Sequence, residues 1–266
     1  MPNKIPIALT IAGSDPGGGA GIQADLKTFH QFGVFGTSAI TALTAQNTVE
    51  VSAVLPVPAE FVRAQLAALA ADLPPAAFKS GMLGTREVVE EVAAWAGRQA
   101  ARPYVLDPVM VSTSGHRLLA PEAEAALRDH LLPLATLVTP NLDEAEILVG
   151  HPVRDPAAME LAGRRLLELG AEAALIKGGH GTGATLVDLL VTRKASVRYE
   201  RPRIETTSTH GTGCTLSAAI TAGLALGRPL EQAVPDALDF VARAIASAPG
   251  LGGGHGPVDL FVKPRV

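Results

Sequence analysis

Short apolar runs alternate along this chain with stretches in which apolar residues recur every three or four positions. Residues 5–11 form a short apolar run ended by Gly13, the signature of a buried strand. The following SDPGGGAG (14–21) is too glycine-rich for either regular element, and a helix is predicted over 22–32, with Ile22, Leu26 and Phe29 on one face. Residues 37–45 and 48–55 read as strands separated by Gln46-Asn47. Helices are expected at 58–70, with Pro58 at a first-turn position, and at 86–101. FKSGM (78–82), YVLDP (104–108), LVTPN (137–141) and AALIKGG (173–179) each read as a strand end running into polar or glycine residues. A hairpin is expected over 184–203 around Arg193-Lys194, then helices at 211–226 and, opened by Pro229, at 229–247. The glycine-rich stretch 250–256 reads as a closing loop.

Strands that alternate with helices predict an α/β fold, a mainly parallel central sheet with helices on both faces. Ligands bind such sheets beyond the carboxyl ends of the strands, so Asp107, Asn141 and Lys177 are expected to converge although far apart in sequence. No linker or repeat divides the chain, and a single domain over residues 1–266 is expected.

Composition narrows the function classes. A chain of 266 residues with 47% hydrophobic content can bury a large core. Its net charge of −4 argues against a nucleic-acid partner, which calls for a basic patch or stripe. One cysteine excludes an intrachain disulfide and fits a reducing compartment; with no secretory pattern and no apolar run of membrane-spanning length, a cytoplasmic protein without a membrane partner is expected.

Several catalytic schemes are excluded. There is no P-loop motif, no H-E-x-x-H and no paired C-x-x-C, and the seven histidines lack metal-ligand spacing. GHGTGA (179–184) has the letters of a dinucleotide fingerprint but precedes a strand-like run instead of opening a helix. What remains is a set of parts for phosphoryl transfer, which needs charge neutralisation and alignment more than covalent chemistry. STHGTGC (208–214) runs straight into an apolar helix, and the free amides of a helix start make an anion site. Cys214 there is either part of that site or a small core residue. Asn141, Asp143 and Glu144 either hold water on Mg²⁺ or simply open a helix, and Lys177 either bridges phosphates or sits in solvent. Asp25, expected in a first helical turn, suits the helix dipole there.

The order of these parts is what carries a family resemblance. ALTIAGSDPGGGAGIQADLKTF (8–29), ITALTAQNT (40–48), SGMLG (80–84), VLDPVM (105–110), TPNLDEA (139–145), IKGGH (176–180) and THGTGCTLSAAI (209–220) make the chain closely similar, nearly end to end, to the hydroxymethylpyrimidine/phosphomethylpyrimidine kinases of thiamine biosynthesis. These form a branch of the ribokinase-like superfamily. The resemblance implies a ribokinase-like fold with no separate lid domain, ATP and Mg²⁺ as cofactors, and a homodimer. It implies phosphorylation of 4-amino-5-hydroxymethyl-2-methylpyrimidine and then of its monophosphate. Carried over by motif, Gln46 recognises the pyrimidine edge, and Gly13, Asp25, Met82 and Val109 complete that pocket. Asp107, Asn141 and Lys177 serve the nucleotide, with Glu144 and Asp107 at the metal. Gly211, Thr212 and Gly213 hold the transferring phosphoryl group. Cys214 stands where many relatives have an aspartate base, and at a helix N-terminus it is expected to have a lowered pKa and to accept a proton as thiolate.

The chain departs from the family where a lysine often precedes Ser-Gly (here Thr113-Ser114-Gly115), and at Gly253 and Asp259, where a lysine and a histidine are common. Two rival readings are a pyridoxal kinase of the same branch and a non-catalytic nucleotide-binding protein. Intact Asp107, Asn141, Glu144, Lys177 and Cys214 count against the second.

Overall fold

In a computed structural model, which describes residues 5–111, 115, 118–179 and 184–265, the N-terminal apolar run becomes β1 (Ile7–Ser14) and the segment after the glycines becomes α1 (Gly21–Gln31). There follow β2 (Phe35–Gln46), β3 (Val51–Pro56), α2 (Ala59–Asp72), β4 (Ala77–Ser80), α3 (Arg86–Gly97) and β5 (Tyr104–Leu106). The second half holds α4 (Pro121–Ala126), β6 (Leu137–Val138), α5 (Leu142–Val149), α6 (Pro156–Glu168), β7 (Ala173–Ile176), β8 (Thr185–Thr192), β9 (Ser196–Pro202), α7 (Thr212–Ala225) and α8 (Leu230–Ala246). Pro58 and Pro229 sit at N-cap positions, one residue before the first turn. Helix α3 ends at Gly97 instead of running to 101, because the amide of Arg98 turns back onto Trp95 and Ala96 carbonyls.

Among the described residues, nine strands form one sheet in the order β3-β2-β1-β4-β5-β6-β7-β8-β9. Strands β2, β1, β4, β5, β6 and β7 run parallel, while β3 and the β8–β9 hairpin pair antiparallel at the two edges. Both faces of the parallel centre are buried, and the strand period of two divides its residues between two cores. Leu9, Phe78, Leu106 and Ile176 face the core shared with α2, α3, α5 and α6, whereas Ala8, Ala77, Val105 and Leu175 face α1, α7 and α8. Helix α7 is buried on nearly every side, which explains why its sequence is apolar all round.

The stretch 179–184 opens no helix, and β8 begins at Thr185. Residues 180–183 of that stretch, with Thr113 and Ser114 of the departing loop, lie outside the described residues. No helix among the described residues is long and apolar enough to cross a membrane.

Candidate active site

Parallel pairing aligns the carboxyl ends of β1, β4, β5, β6 and β7, and the residues just past them meet α7 head-on. Helix α7 is capped at its start by Gly211, whose φ of +79° is a conformation that only glycine adopts readily. A side chain there would also collide with the carbonyl of Gly19, which an added Cβ would approach to 1.8 Å. The two glycine loops, 14–21 and 208–214, are therefore packed backbone against backbone. Gly213 is different: its Cβ would sit in ordinary contact, 3.4 Å from Lys177 Nζ and 3.9 Å from Asp107 Oδ2. The first turn of α7 thus lies directly beside the strand-end charges. The Thr212 hydroxyl donates to Thr209 O at 2.7 Å.

Asp107, Asn141 and Lys177 converge as expected from their strand-end positions, and Glu144 joins them from the first turn of α5. Asp107 is buried and accepts from Lys177 Nζ (3.2 Å), Thr139 Oγ1 (3.3 Å) and Ser217 Oγ (3.1 Å). Burial alone would raise its carboxyl, but the Lys177 and Lys79 cations outweigh that and hold it below the usual range. Asn141 and Glu144 form a reciprocal capping box at the start of α5, each side chain accepting from the other's backbone N–H at 2.9 and 2.8 Å. The helix-start reading of this pair is therefore realised. Glu144 nonetheless lies 3.9 Å from Lys177, and burial pushes its carboxyl up to about 7 against the pull of that lysine. Asp188, buried in β8, accepts from Gly178 N at 2.9 Å and pairs with Arg201 at 2.5 Å, which pins the backbone next to Lys177.

Gly13 lies against Met82, whose sulfur would be 2.9 Å from a Cβ on that glycine. Gln46 ends β2 with its amide against Thr44 and His210, and Val109 follows Asp107, its amide bonded to the Asp107 carbonyl at 2.8 Å. Asp25 corrects the expectation of a first-turn carboxylate. No acidic residue occupies the first turn of α1, and Asp25 is fully buried in the turn after it. There it accepts from Thr10 Oγ1 (2.6 Å) and from the equally buried Lys79 (2.9 Å). Burial opposes both charges. In Lys79 the neighbouring carboxylates prevail and raise the ammonium, while in Asp25 burial prevails and leaves the carboxyl above its ordinary value. The close geometry, with a donor on each Asp25 oxygen, favours the ionised pair at neutral pH.

Cys214 overturns the expected low pKa. Although its surface is only partly covered, protein packs closely around the thiol, and burial pushes it up to about 12. Asp25 and Asp107 add to the rise, and they and burial outweigh Lys79 and a hydrogen bond from the Gly21 amide. The helix terminus is thus opposed by two carboxylates, and the resting group is a neutral thiol. Iodoacetamide at pH 8 should alkylate Cys214 ~10³-fold more slowly than an unperturbed thiol, whose pKa is about 8.5. A rate equal to that of a free thiol would overturn the assignment.

Two residues that the sequence reading passed over belong to this assembly. His210, one of the seven histidines, is buried and hydrogen-bonded to Asp15 at 2.8 Å. Lys79 is the other; its place at a strand end, like that of Lys177, was the available signal. The C-terminal glycines, expected as a plain closing loop, reach both halves of the site. His255 N donates to Thr48 O (2.8 Å), and His210 N donates to Gly256 O (3.0 Å). Asp259 lies apart, accepting from Ser247 Oγ and Phe261 N at 2.9 Å, and Gly253 has open space around it.

Comparison with known proteins agrees with this architecture. The family model described as phosphomethylpyrimidine kinase matches residues 15–259. A hydroxymethylpyrimidine/phosphomethylpyrimidine kinase of Rhizobium meliloti is 52% identical over 96% of this chain and 97% of its own. Among solved structures, a Clostridium difficile phosphomethylpyrimidine kinase superposes with a TM-score of 0.81 at 42% identity, covering 90% of this chain and 99% of that one. A Bacillus subtilis pyridoxal kinase, solved as an ADP complex, superposes with a TM-score of 0.89 at 39% identity, covering 96% and 97%.

Proposed function

The chain belongs to the phosphomethylpyrimidine kinase family, and from that premise we propose that it phosphorylates 4-amino-5-hydroxymethyl-2-methylpyrimidine with ATP. A second transfer, to the resulting monophosphate, gives the diphosphate used in thiamine biosynthesis. The observation that carries this reading is the closeness of Gly213, at the start of α7, to Lys177 and Asp107, with Gln46 held 3.4 Å from His210, the residue just before that helix start. The amides of Gly211, Thr212 and Gly213 receive the transferring phosphoryl group, and Lys177 neutralises its charge. Asn141 shapes the nucleotide side through its cap of α5.

Among the described residues there is no group of three or more acidic, histidine or cysteine side chains able to hold a metal. Mg²⁺ keeps several of its waters and takes only one or two carboxylates, so the pair Asp107 and Glu144 suits it. Bound there, the ion would neutralise charge on the transferring phosphates.

Gln46 reads the pyrimidine edge, with Gly13, Met82 and Val109 against the ring, and Asp25 acts from beneath them through Lys79. Cys214 offers a neutral thiol beside the acceptor oxygen, suited to an acceptor that is itself anionic in the second transfer. The whole chain works as one domain in the cytoplasm, as a homodimer. Leu43 and Leu55, cross-strand partners that are 45% and 65% exposed near the β3 edge, offer it an apolar surface.

ADP release measured with the pyrimidine alcohol, its monophosphate and pyridoxal tests the reading. Both pyrimidines should support turnover, with pyridoxal, favoured by the likeness to the pyridoxal kinase, a slower third. Turnover with pyridoxal alone would make that second reading the correct one. Gln46→Leu should raise the KM for the pyrimidine by ~10–100-fold and leave the KM for ATP unchanged, the usual consequence of an unpaired buried polar group.

A further inference from the structure

Asp15, His210, Thr44 and Gln46 meet at the end of β2, and their proton counts are not free. Asp15 accepts from the backbone N–H groups of Gly17 (2.8 Å), Gly19 (3.1 Å) and Ala20 (2.8 Å). Burial alone would raise its carboxyl, but the His210 hydrogen bond and charge, with the Ala20 and Gly17 amides, hold it below the ordinary range. An ionised carboxylate only accepts, so His210 Nε2, 2.8 Å from Asp15 Oδ2, carries a proton and can only donate. Thr44 has a single hydroxyl proton, and the Ser14 carbonyl lies 3.0 Å away to receive it. Toward any further neighbour, Thr44 Oγ1 can only accept.

The Gln46 amide lies between these two groups, 3.2 Å from Thr44 Oγ1 and 3.4 Å from His210 Nε2. With Oε1 toward Thr44 and Nε2 toward His210, two donors would face each other at the imidazole, and one hydroxyl proton would have to serve two acceptors. A half-turn about χ3 exchanges the amide oxygen and nitrogen and removes both conflicts. Nε2 then donates to Thr44, and Oε1 shares the His210 proton. Both neighbours favour this same orientation and their preferences add, so losing either one weakens the hold on the amide. The imidazole itself is held: a Cβ on Gly19 would come within 2.8 Å of His210 Cδ2, and the His210 amide is bonded to Gly256 O at 3.0 Å.

We propose that Asp15, His210 and Thr44 lock the Gln46 amide in one orientation, which makes His210 a specificity-determining positioning residue for the acceptor. This rests on the reading of Gln46 as the residue that meets the pyrimidine edge. A locked amide has one N–H and one oxygen lone pair left, in a fixed order. A 4-aminopyrimidine presents a ring-nitrogen acceptor beside an amine donor, whereas its 4-oxo analogue presents a ring N–H beside a carbonyl, the reverse order. A freely turning glutamine serves both edges; a locked one serves the amino edge and meets the oxo edge with like groups face to face. Amino and oxo groups are nearly equal in size, so shape cannot make this distinction and polarity must.

The test is kcat/KM, with ATP, for the 4-amino acceptor and for its 4-oxo analogue, in the parent enzyme and in His210→Leu, His210→Gln and Thr44→Val. The amino-over-oxo ratio should fall by about 10-fold or more in His210→Leu, less steeply in Thr44→Val, and stay near the parent value in His210→Gln, which keeps an N–H close to the position of Nε2. A ratio unchanged in Thr44→Val overturns the lock, whatever happens to absolute rates, because that variant removes one of the two contacts that hold the amide without disturbing the imidazole; if His210→Leu does not fold, this criterion decides alone. Equal loss of the ratio in His210→Gln and His210→Leu shows a packing role and also overturns it. A parent enzyme that turns over neither pyrimidine overturns the acceptor reading and the lock together, and so is distinct from failure of the lock alone.

Discussion

Lys79→Met should lose ~3–5 kcal/mol of stability at pH 8, because it leaves the Asp25 carboxylate buried without its cation. Both side chains of this pair have 0% exposure, so water cannot replace the missing partner. Thr10 would remain as a donor to Asp25 at 2.6 Å, but a single hydroxyl does not neutralise a charge. The pH dependence has a definite sign. Asp25 already has a raised pKa in the folded chain, and without Lys79 it rises further. A carboxyl raised in the folded state binds a proton more tightly there than in the unfolded chain, so its contribution is favourable at low pH and is lost as pH rises through the folded value. The deficit of Lys79→Met should therefore shrink between pH 8 and pH 5. Replacing both partners, as Asp25→Leu with Lys79→Met, should recover much of the loss, since an apolar pair carries no buried charge. Urea unfolding of the single and double variants at both pH values measures all of this. A single-variant loss below ~1 kcal/mol, independent of pH, would show that the pair behaves like a solvated surface ion pair.

Gly213→Val should lower kcat by ~10²–10³-fold while leaving the unfolding midpoint nearly unchanged. The structure separates this glycine from its neighbour. A Cβ at Gly213 meets only Lys177 Nζ at 3.4 Å and Asp107 Oδ2 at 3.9 Å, so the fold accommodates it while the side chain enters the space proposed for the phosphoryl group. At Gly211 the same substitution would drive a Cβ to 1.8 Å from Gly19 O at a φ of +79°, and loss of the folded protein is expected. Thermal unfolding alongside single-turnover kinetics distinguishes the two cases. A folded Gly213→Val variant with parental turnover would remove Gly213 from the phosphoryl site.

Much of the fold was legible in the sequence, for a local reason. Strand and helix periods, the loops 14–21 and 208–214, and the polar residues after each apolar run depend on near neighbours only. The alternation of elements then requires a parallel sheet, which brings Asp107, Asn141 and Lys177 to one edge whatever the details of packing. The charge states and partners at that edge were not legible. Asp25 meets Lys79 across 54 residues of chain and His210 meets Asp15 across 195, and no local pattern records such pairs. The Cys214 thiol shows the consequence most clearly: a helix start alone lowers a thiol pKa, yet burial beside Asp25 and Asp107 raises it to about 12. Glu144 was ambiguous for a similar reason, since one spacing serves both a capping box and a metal site, and only its burial beside Lys177 brings its carboxyl to about 7. Sequence alone thus determined that Asp107, Asn141 and Lys177 share the carboxyl edge of the sheet, because backbone periodicity is a local property. Tertiary structure decided what each of them can do there, because desolvation and Coulomb forces depend on distances that only the folded chain sets.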